Sequence, residues 1–150
     1  MKYITSIFLI VLFTSCGSRI QKPNTKIANN LEILNYLKEN NLKAEKTESG
    51  LYYTIHKAGK GKFPIKKSTV RTYYKGYLLN GKVFDKTDFR GTLFKLKEVI
   101  AGLREGFSLI KSGSEATFFI PSQLAYGKNG TDGIPKNAVV IFHVKLIGVY

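Results

Sequence analysis

Tyr74-Lys75-Gly76-Tyr77-Leu78-Leu79-Asn80-Gly81-Lys82-Val83-Phe84-Asp85 reads as a strand that turns back on itself. Val70, Thr72, Tyr74 and Leu78 share one face of an extended segment, because side chains two apart in a strand point the same way. Asn80-Gly81 predicts a tight hairpin of type I′, a turn that needs positive φ at both central places. The same period recurs on either side. Leu51, Tyr53 and Ile55 alternate with Tyr52, Thr54 and His56, and Ala116, Phe118 and Ile120 alternate further on. Val140, Phe142, Val144 and Leu146 form the last such set, with His143 and Lys145 facing outward. Nine Tyr and ten Phe suit a sheet-rich domain, since aromatic side chains favour strands. One short helix is predicted between these strands, over Ala101 to Ile110, with Leu103, Phe107 and Ile110 as its apolar stripe. A single helix against an antiparallel sheet is an α+β layer architecture.

Upstream the pattern changes. The chain has 150 residues, enough for one domain with a tail. Residues 1–15 read as a signal peptide: Lys2 gives a positive start, and Ile4 to Phe13 is an apolar run too short to span a bilayer. The run ends at Phe13-Thr14-Ser15-Cys16, which resembles a bacterial lipobox, with Phe13 standing where Leu is usual. Cys16 is the one cysteine of the chain, so no intrachain disulfide can form. A free thiol on an exported protein is a reactive liability, which favours lipidation of Cys16 and a membrane anchor. Residues 16–49 then read as a lipidated tether with a short helix, and a new domain over 50–150 begins near Gly50. The helix is predicted from Asn30 to Asn40, with Leu31, Ile33, Leu34 and Leu37 as its apolar residues and Asn29 or Asn30 as its cap. About eleven residues are marginal alone, so this helix docks on the domain or on a second copy; both stay open.

The formal net charge is +14, with lysines spread along the chain. A basic surface fits a soluble face or an anionic membrane. Export removes nucleic acid from the expected partners. His56 and His143 fall on outward faces with no ligand spacing beside them, so no metal site is expected.

Three segments taken together resemble the FKBP-type peptidyl-prolyl cis-trans isomerases. The first is the Tyr74–Asp85 stretch. The second is Phe94-Lys95-Leu96-Lys97-Glu98-Val99-Ile100-Ala101-Gly102-Leu103-Arg104-Glu105-Gly106. The third is Ile120-Pro121-Ser122-Gln123-Leu124-Ala125-Tyr126-Gly127, followed by Ile134-Pro135 and Phe142-His143-Val144. In order, they cover residues 50–150. The lipoprotein start resembles the FKBP-type isomerases of Gram-negative bacteria, and Gly17 after the cysteine implies the outer membrane.

The resemblance implies a bent five-stranded antiparallel sheet wrapped around one short helix, with a proline pocket between them. It places Tyr74, Phe84, Asp85, Ile100, Tyr126 and Phe142 in the catalytic role, with Val99, Leu103, Ile134 and Arg90 as binding residues. The Ile100 N–H and the Tyr126 hydroxyl donate to substrate carbonyls, and Arg90 holds Asp85. Leu103 stands where the most active members carry Trp, and Thr92 replaces another apolar pocket residue. Gly127, Gly130 and Gly133 form a mobile flap. No cofactor is required. Proline-containing polypeptides are the implied partners, and the implied activity is isomerisation. The alternative is an FKBP-fold binding module, a holdase without useful turnover.

Overall fold

The computed structural model describes residues 24–150. The signal peptide and Cys16 lie outside the described residues. Seven strands form one antiparallel sheet: β1 (Glu45–Lys46), β2 (Tyr52–Lys57), β3 (Thr69–Leu78), β4 (Val83–Lys86), β5 (Thr92–Lys95), β6 (Glu115–Ile120) and β7 (Val140–Val149). Their order is β1-β2-β6-β7-β3-β4, and β5 also pairs with β3. The family resemblance implies five strand positions. Seven strands arise because β4 and β5 divide one edge of β3 between them, and because β1 adds a two-residue pair outside β2.

Helix α2 (Ala101–Ser108) lies on one face of the sheet. Its stripe is as the spacing predicts, with Leu103, Phe107 and Ile110 all buried. The α-helix stops at Ser108, and the Ile110 N–H donates to the Phe107 carbonyl at 3.3 Å in a tighter last turn. Close approach is made possible by glycine. A Cβ on Gly106 would lie 2.8 Å from the Phe118 ring, and one on Gly102 would overlap the Ile120 side chain. Leu51, Val70, Leu96, Phe118, Ile120, Val140, Phe142, Val144 and Leu146 complete this main core.

Helix α1 (Thr25–Glu39) covers part of the opposite face. It starts five residues before the predicted Asn30. Asn24, not Asn29 or Asn30, is the cap, and its side chain accepts the Lys26 N–H at 3.0 Å. The helix ends with Asn41 at φ 53°. There Leu42 N–H donates to Leu37 and Asn41 N–H to Lys38, the paired bonds of a Schellman motif. Ile33 and Leu37 are buried against Tyr52, Phe119, Val139 and Ile141, whereas Leu31 and Leu34 of the predicted stripe are exposed. Docking is therefore within the chain, through a narrower face than the leucine spacing suggests. The described part of residues 16–49 is continuous with the sheet, because α1 packs on it and β1 extends it.

The hairpin at Asn80-Gly81 forms with a different turn from the one predicted. Gly81 has φ 82°, while Asn80 is not in the left-handed region. The Gly81 N–H donates to the Leu78 carbonyl at 2.8 Å, and the Leu78 N–H to the Lys82 carbonyl at 2.9 Å. This is a three-residue loop with its left-handed residue last. Asn80 instead spends its side-chain oxygen on the Lys82 N–H, at 3.0 Å.

Candidate active site

The main core opens at one end into a cavity of about 340 Å³, lined by Tyr74, Asp85, Leu93, Phe94, Lys95, Glu98, Val99, Ile100, Leu103, Tyr126 and Phe142. They come from several parts of the fold, each for a local reason. Tyr74 on β3 and Phe142 on β7 point to the α2 side because their strands alternate. They meet with ring centroids 5.9 Å apart. Phe94 on β5 closes on Tyr74 at 5.3 Å. Leu103 is 6% exposed and forms an apolar floor. Val99 and Ile100 lead into α2 in extended backbone. The Ile100 N–H has no partner among the described residues.

Phe84 stands behind this lining. Its ring meets Phe142 edge-on at 5.5 Å and Tyr126 edge-on at 6.4 Å, so it braces two walls of the cavity. The bracing depends on Gly76, which faces both rings from β3: a Cβ there would lie 2.8 Å from Phe84 and 3.0 Å from Phe142. Ile134 is 4% exposed and packs in the main core without lining the cavity.

Two phenols supply polarity. The Tyr74 hydroxyl donates to Asp85 Oδ2 at 2.6 Å. Burial above all, then this hydrogen bond, pushes the Tyr74 hydroxyl far above the usual phenol range. Burial, with the nearby Asp85 charge, also raises Tyr126. Both therefore remain protonated donors at neutral pH. Tyr74 spends its proton on Asp85, whereas Tyr126, which lines the cavity, has no side-chain hydrogen-bond partner among the described residues.

Arg90 does not hold Asp85. Its guanidinium pairs with Asp88 at 2.9 Å, and its own N–H donates to Asp88 Oδ1 at 2.8 Å. A carboxylate two residues away in the turn outcompetes one five residues back on β4, and Tyr74 takes the role given to Arg90. Thr92 is likewise not part of the lining; Leu93 and Phe94 are. The loop carrying Gly127, Gly130 and Gly133 is internally bonded, with Thr131 and Ile134 exchanging N–H···O bonds at 3.0 and 2.9 Å. Sequence reasoning missed Leu93, Phe94, Lys95 and Glu98 as lining residues, although Phe94 opens the second motif.

The sequence model of the family described as FKBP-type peptidyl-prolyl cis-trans isomerase matches residues 60–147. The chain belongs to that family. It is 46% identical over 119 residues to a probable FKBP-type isomerase, FkpA, of Neisseria meningitidis, a match covering 76% of this chain and 44% of the relative. It is 43% identical over 116 residues to FkpA of Escherichia coli, covering 76% of this chain and 42% of the relative. The chain thus spans less than half the length of these curated relatives. The crystal structure of Escherichia coli FkpA superposes with a TM-score of 0.74 at 37% identity, over 83% of this chain and 60% of that one. A peptidyl-prolyl isomerase from Pseudomonas syringae superposes at 0.72 and 27% identity, over 85% of this chain and 97% of that one. In this FKBP-family chain the cavity between α2 and the sheet is the candidate active site.

Proposed function

We propose that the chain is a peptidyl-prolyl cis-trans isomerase acting on exported polypeptides. In this reading a lipid on Cys16 holds it in the cell envelope, at the outer membrane of a Gram-negative bacterium. The observation that carries the catalytic reading is the convergence of Tyr74, Tyr126, Phe142 and the unspent Ile100 N–H on one apolar cavity. About 340 Å³ is small-ligand scale, enough for a proline ring and its neighbouring peptide unit.

Rotation about an X–Pro amide is slow because its C–N bond has partial double-bond character, with a barrier of roughly 18–20 kcal/mol. The half-rotated amide has lost resonance, and its carbonyl carries less charge than the planar form. An apolar enclosure disfavours the planar ground state more than the twisted one, and only such differential stabilisation accelerates the step. Tyr74, Phe94 and Phe142 surround the proline ring. The Ile100 N–H and the Tyr126 hydroxyl hold the flanking carbonyls, so that one side of the bond is fixed while the other turns. Asp85 acts through Tyr74, keeping that ring upright against Phe142.

The test is isomerisation of short X–Pro peptides by the chain from Gly17 onward. Tyr126→Phe should lower kcat/KM about fivefold, the worth of one hydrogen bond of ~1 kcal/mol. The rate should stay flat from about pH 6 to 9, because both phenols titrate above the usual phenol value near 10. Leu93, 53% exposed, lines the cavity and favours the second reading, a holdase. Rates equal to buffer with client aggregation still suppressed would replace the first reading by the second. For the anchor, Cys16→Ser should leave an unprocessed precursor; normal maturation with retained membrane binding would remove the lipid assignment.

A further inference from the structure

Asn29 lies in the second turn of α1 and is 2% exposed. Its position is costly. Asn is a weaker helix former than Ala, and a buried amide stabilises nothing unless every hydrogen bond is made. Here they are made, and not within the helix alone. Asn29 Oδ1 accepts the Ser122 N–H at 2.8 Å, while Nδ2 donates to the Asn137 carbonyl at 2.9 Å and to Glu32 Oε2 at 3.0 Å. The partners fix which way the amide faces: an N–H can only donate and a carbonyl can only accept.

Ser122 and Asn137 are the two ends of the loop that carries Tyr126. They are tied to each other through Gly127, the residue after Tyr126. The Gly127 N–H donates to the Ser122 carbonyl at 2.8 Å, and the Asn137 N–H donates to the Gly127 carbonyl at 2.9 Å. Asn29, Ser122, Gly127 and Asn137 therefore form a closed ring of hydrogen bonds, with Tyr126 held at its margin.

We propose that Asn29 is a positioning residue for the isomerase reaction: α1, packed on the far face of the sheet, clasps both ends of the β6–β7 loop that places the Tyr126 hydroxyl in the cavity. This rests on the isomerase reading above and extends it, because a helix that contributes no lining residue becomes part of the site. The helix also follows directly from the segment leading back to Cys16, so the clasp joins the membrane-proximal end of the chain to the cavity.

The experiment uses the full mature chain in detergent micelles and three readouts: X–Pro peptide turnover, thermal midpoint, and hydrogen exchange at the Ser122 and Gly127 amides. Asn29→Ala orphans Ser122 N–H and Asn137 C=O together. It should lower kcat/KM about threefold, short of the roughly fivefold expected when the Tyr126 hydroxyl is removed outright, and speed exchange at both amides. In a Tyr126→Phe background the same substitution should change turnover by less than twofold, because the group it positions is gone. Ile33→Val loosens the α1 packing without touching the ring; it should lower the midpoint and leave turnover unchanged. Where Asn29→Ala does not fold, Asn29→Asp carries the comparison, since it keeps the acceptor for Ser122 and loses the donor for Asn137. A folded Asn29→Ala protein with parental turnover overturns the proposal, as does an equal loss in the Tyr126→Phe background. If the parent chain itself does not isomerise, the isomerase reading falls separately, and unchanged amide exchange in Asn29→Ala would then remove the clasp as well.

Discussion

Helix α2 is eight residues long and buries Gly102, Leu103, Gly106 and Phe107, whereas α1 is fifteen residues long and buries only Asn29, Ile33 and Leu37. The shorter helix is seated through glycines directly on Phe118 and Ile120. The longer one rests on Tyr52, Phe119, Val139 and Ile141, leaving Ile27, Leu31 and Leu34 in solvent. The difference follows from what each face has to do. A cavity that favours a half-rotated amide needs a floor and walls that do not yield, and close packing supplies them. Helix α1, on the far face, lines no part of that cavity. There a few apolar contacts fix α1 in place, and the exchange of polar groups between Asn29 and the Tyr126 loop gives the contact its register.

The comparison breaks first at Phe107, which is 1% exposed and meets Phe118 edge-on at 5.9 Å. Phe107→Ala should cost about 3–5 kcal/mol of unfolding free energy in urea titration, and should abolish turnover at growth temperature. A loss no larger than 1 kcal/mol would mean that α2 is not the seat of the core. Gly76 sharpens the same side. Gly76→Ala forces a methyl group against Phe84 and Phe142, and should cost about 1–3 kcal/mol by overpacking. Its turnover should fall further than its stability loss alone explains, because the two rings that move are the brace and the wall of the cavity. Stability lost with full turnover would show that Phe84 and Phe142 need not hold their present angle.

How legible all this is in the sequence differs between the two faces for the same reason. On the α2 side the long strands β3 and β7, with β6 between β7 and β2, turn one face to the core, so period two and the Leu103, Phe107, Ile110 stripe are written in the residue types. There the motifs bring Tyr74, Asp85, Ile100, Tyr126 and Phe142 to one hollow. On the α1 side the signal is weak. Three asparagines, Asn24, Asn29 and Asn30, lie close to the helix start and any of them can cap, so local chemistry does not single out Asn24. Asn29 has partners 93 and 108 residues away, and nothing near it in the chain announces them. Leu31 and Leu34 read as core because leucine usually is. Arg90 is illegible for a different reason: Asp85 and Asp88 both lie within a few residues of it, and only the turn geometry shows that Asp88 takes the guanidinium. The type of the Asn80-Gly81 turn is not written in the residues, because Asn tolerates positive φ without requiring it.

The smallest effect is expected at Leu31, on the outer side of α1 and 53% exposed. Its side chain lies across the helix from Ile33 and Leu37, away from the sheet. Leu31→Gln keeps a good helix former in place and removes no buried contact, so stability should change by no more than about 0.5 kcal/mol, as for most surface positions. Turnover should not change, since the Asn29 ring faces the other way. The measurement is a urea titration repeated at several protein concentrations. A stable chain with one helix face in water gives the same midpoint at each concentration for parent and variant. If the parent midpoint rose with concentration and Leu31→Gln lowered it, then Ile27, Leu31 and Leu34 would be covered by a second copy in solution. The contrast between a dense catalytic face and a sparse outer one would then describe only the isolated chain.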